Sequence, residues 1–126
     1  MKKVQNYYPF ILLAIIAINI IFISECPAED GKPYLERGIK AYSKDADFDK
    51  AISELQKALD LGMTETADMV KAHLYLGFAY MAKGMRIDAV VEFAKAINLN
   101  PELILDPKIY SSKLVAAFNE TKASLV

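Results

Sequence analysis

His73–Gly84, HLYLGFAYMAKG, is the stretch whose reading decides the fold. Leu76, Ala79, Tyr80 and Met81 recur at helical spacing, and Gly84 marks a stop. Gly77 stands in the middle of that helix, where glycine costs about 1 kcal/mol relative to alanine. A helix keeps such a residue when a second helix has to cross it closely. Tyr75, Phe78 and Tyr80 crowd around it. The partner helix follows at once: Ala89 and Ala96 offer small residues for the crossing, and Tyr80 and Phe93 fill the volume beside it.

The pattern occurs twice. Leu35 pairs with His73, Tyr42 with Tyr80, Ala51 with Ala89, Leu55 with Phe93, Ala58 with Ala96, Leu61 with Leu99 and Met63 with Pro101, every pair 38 positions apart. A fixed period of this size marks a repeat architecture. Each unit reads as two helices, over 33–44 and 48–61 and then 65–83 and 86–99. Asp47 and Thr64 are expected N-caps, and Gly62 and Gly84 are expected stops. No period-two alternation occurs, so the expected class is all-α.

These residues resemble a tetratricopeptide repeat, whose pattern is an aromatic, Leu-Gly, Tyr, then Ala-x3-Phe and a closing Pro. Here the positions are His73, Leu76-Gly77, Tyr80, Ala89, Phe93 and Pro101, with His73 in the aromatic place. The first unit is more degenerate: Gly38 comes one residue early, Leu55 replaces the aromatic and Met63 the proline. The family's period is about 34 residues. The surplus here lies between Met63 and His73 and is about one helical turn, which predicts a longer start to the third helix. Residues 33–63 and 64–101 would be the two repeats. Residues 106–125 would form a capping helix, with Asp106 as its cap, Pro107 in its first turn and Tyr110, Leu114, Ala117, Phe118 and Leu125 as its stripe. The resemblance implies a right-handed α-solenoid and a role in binding proteins of the bacterial cell envelope.

The N-terminus reads as an export element. Lys2 and Lys3 precede the apolar run Pro9–Ile23, which is shorter than a bilayer span needs. Cleavage after Ala28 makes residues 1–28 a signal peptide and sends the domain to the periplasm. Two other readings stay open: a lipoprotein anchored through Cys26, with Glu25 against the lipobox pattern, and an uncleaved membrane anchor. Under each, membrane contact comes only through this segment. Removing Lys2, Lys3 and Glu25 from 15 Lys+Arg and 16 Asp+Glu leaves 13 against 15. That balance has no basic field for nucleic acid.

No nucleotide, zinc-protease or hydrolase motif occurs, His73 is the only histidine, and Cys26 the only cysteine. His73 occupies a packing position in the repeat. The acidic run Asp45, Asp47, Asp49 resembles a calcium loop, but Lys50 and Gln56 stand where that loop needs Gly and Glu, so a helix start is the reading. No catalysis, metal or cofactor is expected. By carry-over from the repeats, the groove residues are Glu36, Lys40, Ser43 and Lys44, then Lys71, Leu74, Phe78 and Met81. Two outcomes stay open for Phe78 and Met81: an exposed groove for a partner peptide or helix, or cover by the C-terminal helix or a second copy. The corresponding functions are a protein-binding scaffold and a membrane-tethered subunit that self-associates.

Overall fold

The computed structural model describes residues 29–126. The expected signal or anchor, with Lys2, Lys3, Cys26 and the cleavage point, lies outside the described residues. Among these are five helices and no strand: α1 Lys32–Ser43, α2 Phe48–Leu61, α3 Thr66–Ala82, α4 Arg86–Leu99 and α5 Ser112–Ser124. The all-α expectation holds, and the first four helices lie within about a residue of where periodicity puts them.

Local chemistry sets the helix ends. Asp47 caps α2, its carboxylate accepting the Lys50 N–H at 3.0 Å. α3 ends in a Schellman turn: Gly84 N–H donates to Met81 O (3.1 Å) and Met85 N–H to Tyr80 O (2.8 Å), with Gly84 at φ +76°. Thr64 does not cap α3. Glu65, in extended conformation, is its N-cap, and its carbonyl accepts from Asp68 and Met69.

α1 and α2 form an antiparallel hairpin. Gly31 N–H donates to Gly62 O at its open end, Arg37 pairs with Glu54 midway, and Asp47 N–H donates to Ala41 O at the turn. α3 and α4 form the second hairpin, and α2 and α1 both pack on α3. A Cβ on Gly77 would lie 2.3 Å from Phe93 Cε1, and one on Gly38 would lie 2.5 Å from Leu55 Cγ. The close neighbour of Gly77 is therefore the Phe93 ring itself, not Ala89 or Ala96.

The two glycines occupy the same slot, which changes the expected pairing in the first helix. Gly38 corresponds to Gly77, a spacing of 39, while Leu55 and Phe93 keep 38. The extra residue sits in the first hairpin's connection, 44–47 against 83–85, where Ala46 adopts φ +50°. From glycine to helix end both first helices run five residues, Gly38 to Ser43 and Gly77 to Ala82. The greater length of α3, 17 residues against 12, therefore lies at its start, as the long period predicts.

α5 starts later than expected. Asp106 accepts the Lys108 N–H on its side chain and the Ile109 and Tyr110 N–H groups on its carbonyl, closing one turn with Pro107. That turn does not propagate. Ser111 is extended (φ −62°, ψ 149°), and its hydroxyl caps α5. The buried stripe of α5 is Ala117, Phe118 and Thr121, with Leu114 and Val115 half-buried; Leu125 is 45 % exposed instead. Residues 100–111 thus form a strap between α4 and α5.

Candidate functional site

The residues expected to line a groove do not stay together on the surface. Glu36, Lys40, Ser43, Lys44 and Lys71 are exposed. Phe78 is fully buried, and Met81 and Leu74 are 4 % and 6 % exposed. An open strip of Leu74, Phe78 and Met81 is therefore corrected to a covered one. The cover comes from the strap and α5: Leu105, Ala117 and Phe118 join the same buried cluster, with Leu103, Tyr110 and Leu114 packed at its edge. α3 is consequently buried on both faces.

The residues expected to pack within the repeats are buried or half-buried with one exception. Ala51, Leu55, Ala58, Leu76, Gly77, Ala89, Phe93 and Ala96 are buried, and Tyr42 and Tyr80 are half-buried. The Tyr80 hydroxyl accepts from Gln56 at 2.9 Å, tying α3 to α2. Pro101 is exposed and begins the strap instead of packing between helices.

Aromatic rings connect into a network through the domain. Tyr42 lies 5.7 Å from both Phe48 and Tyr75, and Tyr75 lies 5.3 Å from Phe78, by ring centroids. Phe78 touches Tyr110 at 5.2 Å and Phe93 at 5.9 Å, and Phe93 lies 5.7 Å from Phe118. The outer end of the network lines an open cleft of about 460 Å³, made by Tyr42, Phe48, Tyr75, Tyr110, Ile109 and Leu114 with Ser43 and Ser111. Burial, followed by the neighbouring tyrosines, raises the Tyr42 and Tyr75 hydroxyls above their ordinary value. Both are neutral phenols at pH 7. Ile109 stands 73 % exposed at the rim.

A second cleft, about 390 Å³, takes Asn100 and Leu103, from the other end of the strap, into its wall. Ala67, Val70 and Leu74 of α3 line it with Leu99 and Leu103, and Lys71 is at its edge. Lys71 is 3.9 Å from Asp68, which also pairs with Lys32 at 3.5 Å.

Glu92 is the polar feature that sequence reasoning missed. It is 8 % exposed on α4, with Oε2 2.6 Å from His73 Nδ1 and Oε1 2.8 Å from Lys95 Nζ. Burial opposes its charge, but the hydrogen bonds from His73 and Lys95 outweigh that and hold the carboxyl below its ordinary range. A glutamate in an amphipathic helix reads as surface. Its partner lies 19 positions earlier, so the one available signal was the lone histidine in a packing position.

Two residues of the acidic run near α2 have partners within the fold. Asp47 caps the helix, and Asp49 pairs with Lys83. Among the described residues no three His, Cys, Asp or Glu side chains converge as a metal site would require. The arrangement offers one mainly aliphatic cleft and one of mixed aromatic and hydroxyl lining, each with part of the strap in its wall. No protein-family model, curated protein or solved structure matches the chain.

Proposed function

We propose that this protein is a non-catalytic, tetratricopeptide-type interaction module, exported and held in the bacterial cell envelope, that binds a protein partner. The aromatic cleft between α1, α3 and the strap carries the proposal. Tyr42, Phe48, Tyr75 and Tyr110 are fixed by ring-on-ring contacts, so they offer large apolar area with little side-chain entropy left to lose. The tyrosine hydroxyls supply polar contacts at the same surface. The repeat assignment is supported by the two equivalent glycine slots, Gly38 on Leu55 and Gly77 on Phe93.

The test is a photo-crosslinking residue at position 109 of the full chain in cells. The expected adduct contains a different envelope protein. That protein, once purified, is expected to bind Tyr75→Ala at least tenfold more weakly than the unaltered chain. Undiminished binding to folded Tyr75→Ala would remove the aromatic cleft from the proposal.

A self-associating, membrane-tethered subunit is the second reading, favoured by Ile87 and Val91, which stand 82 % and 48 % exposed one turn apart on α4. Light scattering on the detergent-solubilised chain separates the two readings. A stable monomer at high concentration would sink the second.

A further inference from the structure

The strap shows how a chain sits on α3. Leu103 packs at the edge of the core and Leu105 is 6 % exposed within it, while Ile104 between them is 77 % exposed. Leu103–Asp106 has neither helical nor turn structure, and its side chains point alternately in and out, as they do in an extended peptide laid on a surface. The inward residues meet the same α3 cluster as Leu74 and Phe78, and the Tyr110 ring closes over Phe78. The Lys122 ammonium of α5 donates to the Leu103 carbonyl at 2.9 Å. A cleft remains open at each end of the strap, one walled by Leu103 and the other by Ile109, Tyr110 and Ser111.

We infer that residues 102–110 are an internal ligand, held on the binding face of α3 in place of an extended partner segment with aliphatic residues at alternate positions. This inference rests on the protein-binding reading above and adds regulation to it. A partner gains its first hold in a flanking cleft. It then displaces Leu103 and Leu105 with its own alternate side chains, and the two clefts join over Leu74 and Phe78. Apparent affinity is accordingly lowered by the fraction of time the strap stays seated. The strap's sequence indicates what the face accepts: a leucine, any residue, a second leucine, then a polar residue.

The experiment uses the full chain in detergent micelles and a fluorescent peptide with the sequence of residues 102–110. Leu103→Asn in the chain removes one inward residue of the strap, at the edge of the core, and leaves Lys122 and the face of α3 that would receive the peptide unchanged. The peptide is expected to bind this variant at least tenfold more tightly than the unaltered chain. A control peptide with both leucines changed to asparagine is expected not to bind. Equal affinity for both chains, or binding that ignores the leucines, would overturn the inference. Hydrogen exchange on the unaltered chain gives an independent readout. Amides of 103–105 are expected to exchange at least a hundredfold faster than those at the centre of α3. Strap amides that exchange at the rate of α3 would show that the strap opens only with the whole domain, and would also overturn it. A static strap combined with partner capture at position 109 sinks the internal ligand alone. A strap that the peptide displaces, with no envelope partner captured, sinks the envelope function alone.

Discussion

Replacing Gly77 with alanine tests the packing of the second hairpin most directly. On an exposed helix the change would stabilise by about 1 kcal/mol, because glycine gives up more backbone freedom on folding. Here the new methyl would lie 2.3 Å from Phe93 Cε1 and 2.6 Å from Cδ1. Phe93 has no room to swing: it is fully buried, with Phe78 at 5.9 Å and Phe118 at 5.7 Å. Overpacking a rigid site costs about 1–3 kcal/mol, and a clash this close belongs at the upper end. Set against the helix gain, the net destabilisation is about 1–2 kcal/mol, a fall in Tm of roughly 4–16 °C for a domain of this size. Circular dichroism melts of the unaltered chain, Gly77→Ala, Phe93→Leu and the double variant measure it. With the ring gone, alanine at 77 is expected to cost much less than in the parent, a coupling of at least about 1 kcal/mol. If Gly77→Ala alone raises Tm, the ring is not the constraint and the reasoning fails.

Three further outcomes follow from other sites. Phe78→Glu is expected to abolish the folded state, since it buries an unpaired charge at a position with no exposure, and a cooperative melt near that of the parent would contradict the packing described. Gly84→Ala is expected to cost about 1–2 kcal/mol through left-handed backbone strain alone, because nothing lies within 4 Å of the added methyl; Gly84→Asn, tested by the same melts, should lose clearly less. Glu92 has a folded-state pKa below its unfolded value, so its contribution is fully present above the ordinary carboxylate range and is lost as pH falls through the lowered value. Glu92→Gln should therefore be less stable than the parent at pH 7, by about 1–2 kcal/mol. The gap should close in acid; one that is the same at pH 7 and pH 3 would reject the linkage.

The hairpins were legible because their signals are local. Apolar periodicity placed four helices, and the interior glycine with Phe93 sixteen residues on announced a close crossing. The correspondence of Gly38 with Gly77 was hidden by the single extra residue near Ala46, since a fixed offset cannot absorb a longer turn in one unit. Asp106-Pro107 is a sound helix start and does close a turn, but Ser111 offers a second cap and the chain bends there. The choice between groove and cover was illegible for a different reason. Leu74, Phe78 and Met81 have the spacing of an apolar face, and whether that face meets solvent depends on where residues 102–110 run. Sequence periodicity identifies an apolar face; the covering segment is a tertiary fact. Glu92 was illegible in the same way, because one of its two hydrogen-bond partners, His73, comes from another helix.

The ring network bears on how this domain comes apart. An array of stacked helix pairs tends to unfold as a sum of nearly independent units joined by nearest-neighbour interfaces. Here Phe48 belongs to α2, Tyr42 to α1, Tyr75 and Phe78 to α3, Phe93 to α4 and Phe118 to α5, so one set of touching rings includes all five helices of the described residues. Pulling either hairpin away breaks contacts at Phe78 or Phe93 that the other needs. The melt should accordingly be all-or-none, with calorimetric and van't Hoff enthalpies in agreement. A calorimetric enthalpy well above the van't Hoff value would mean the hairpins melt separately. Agreement of the two enthalpies would mean that the two hairpins and the fifth helix hold together as a single cooperative unit because their aromatic side chains join what the backbone divides.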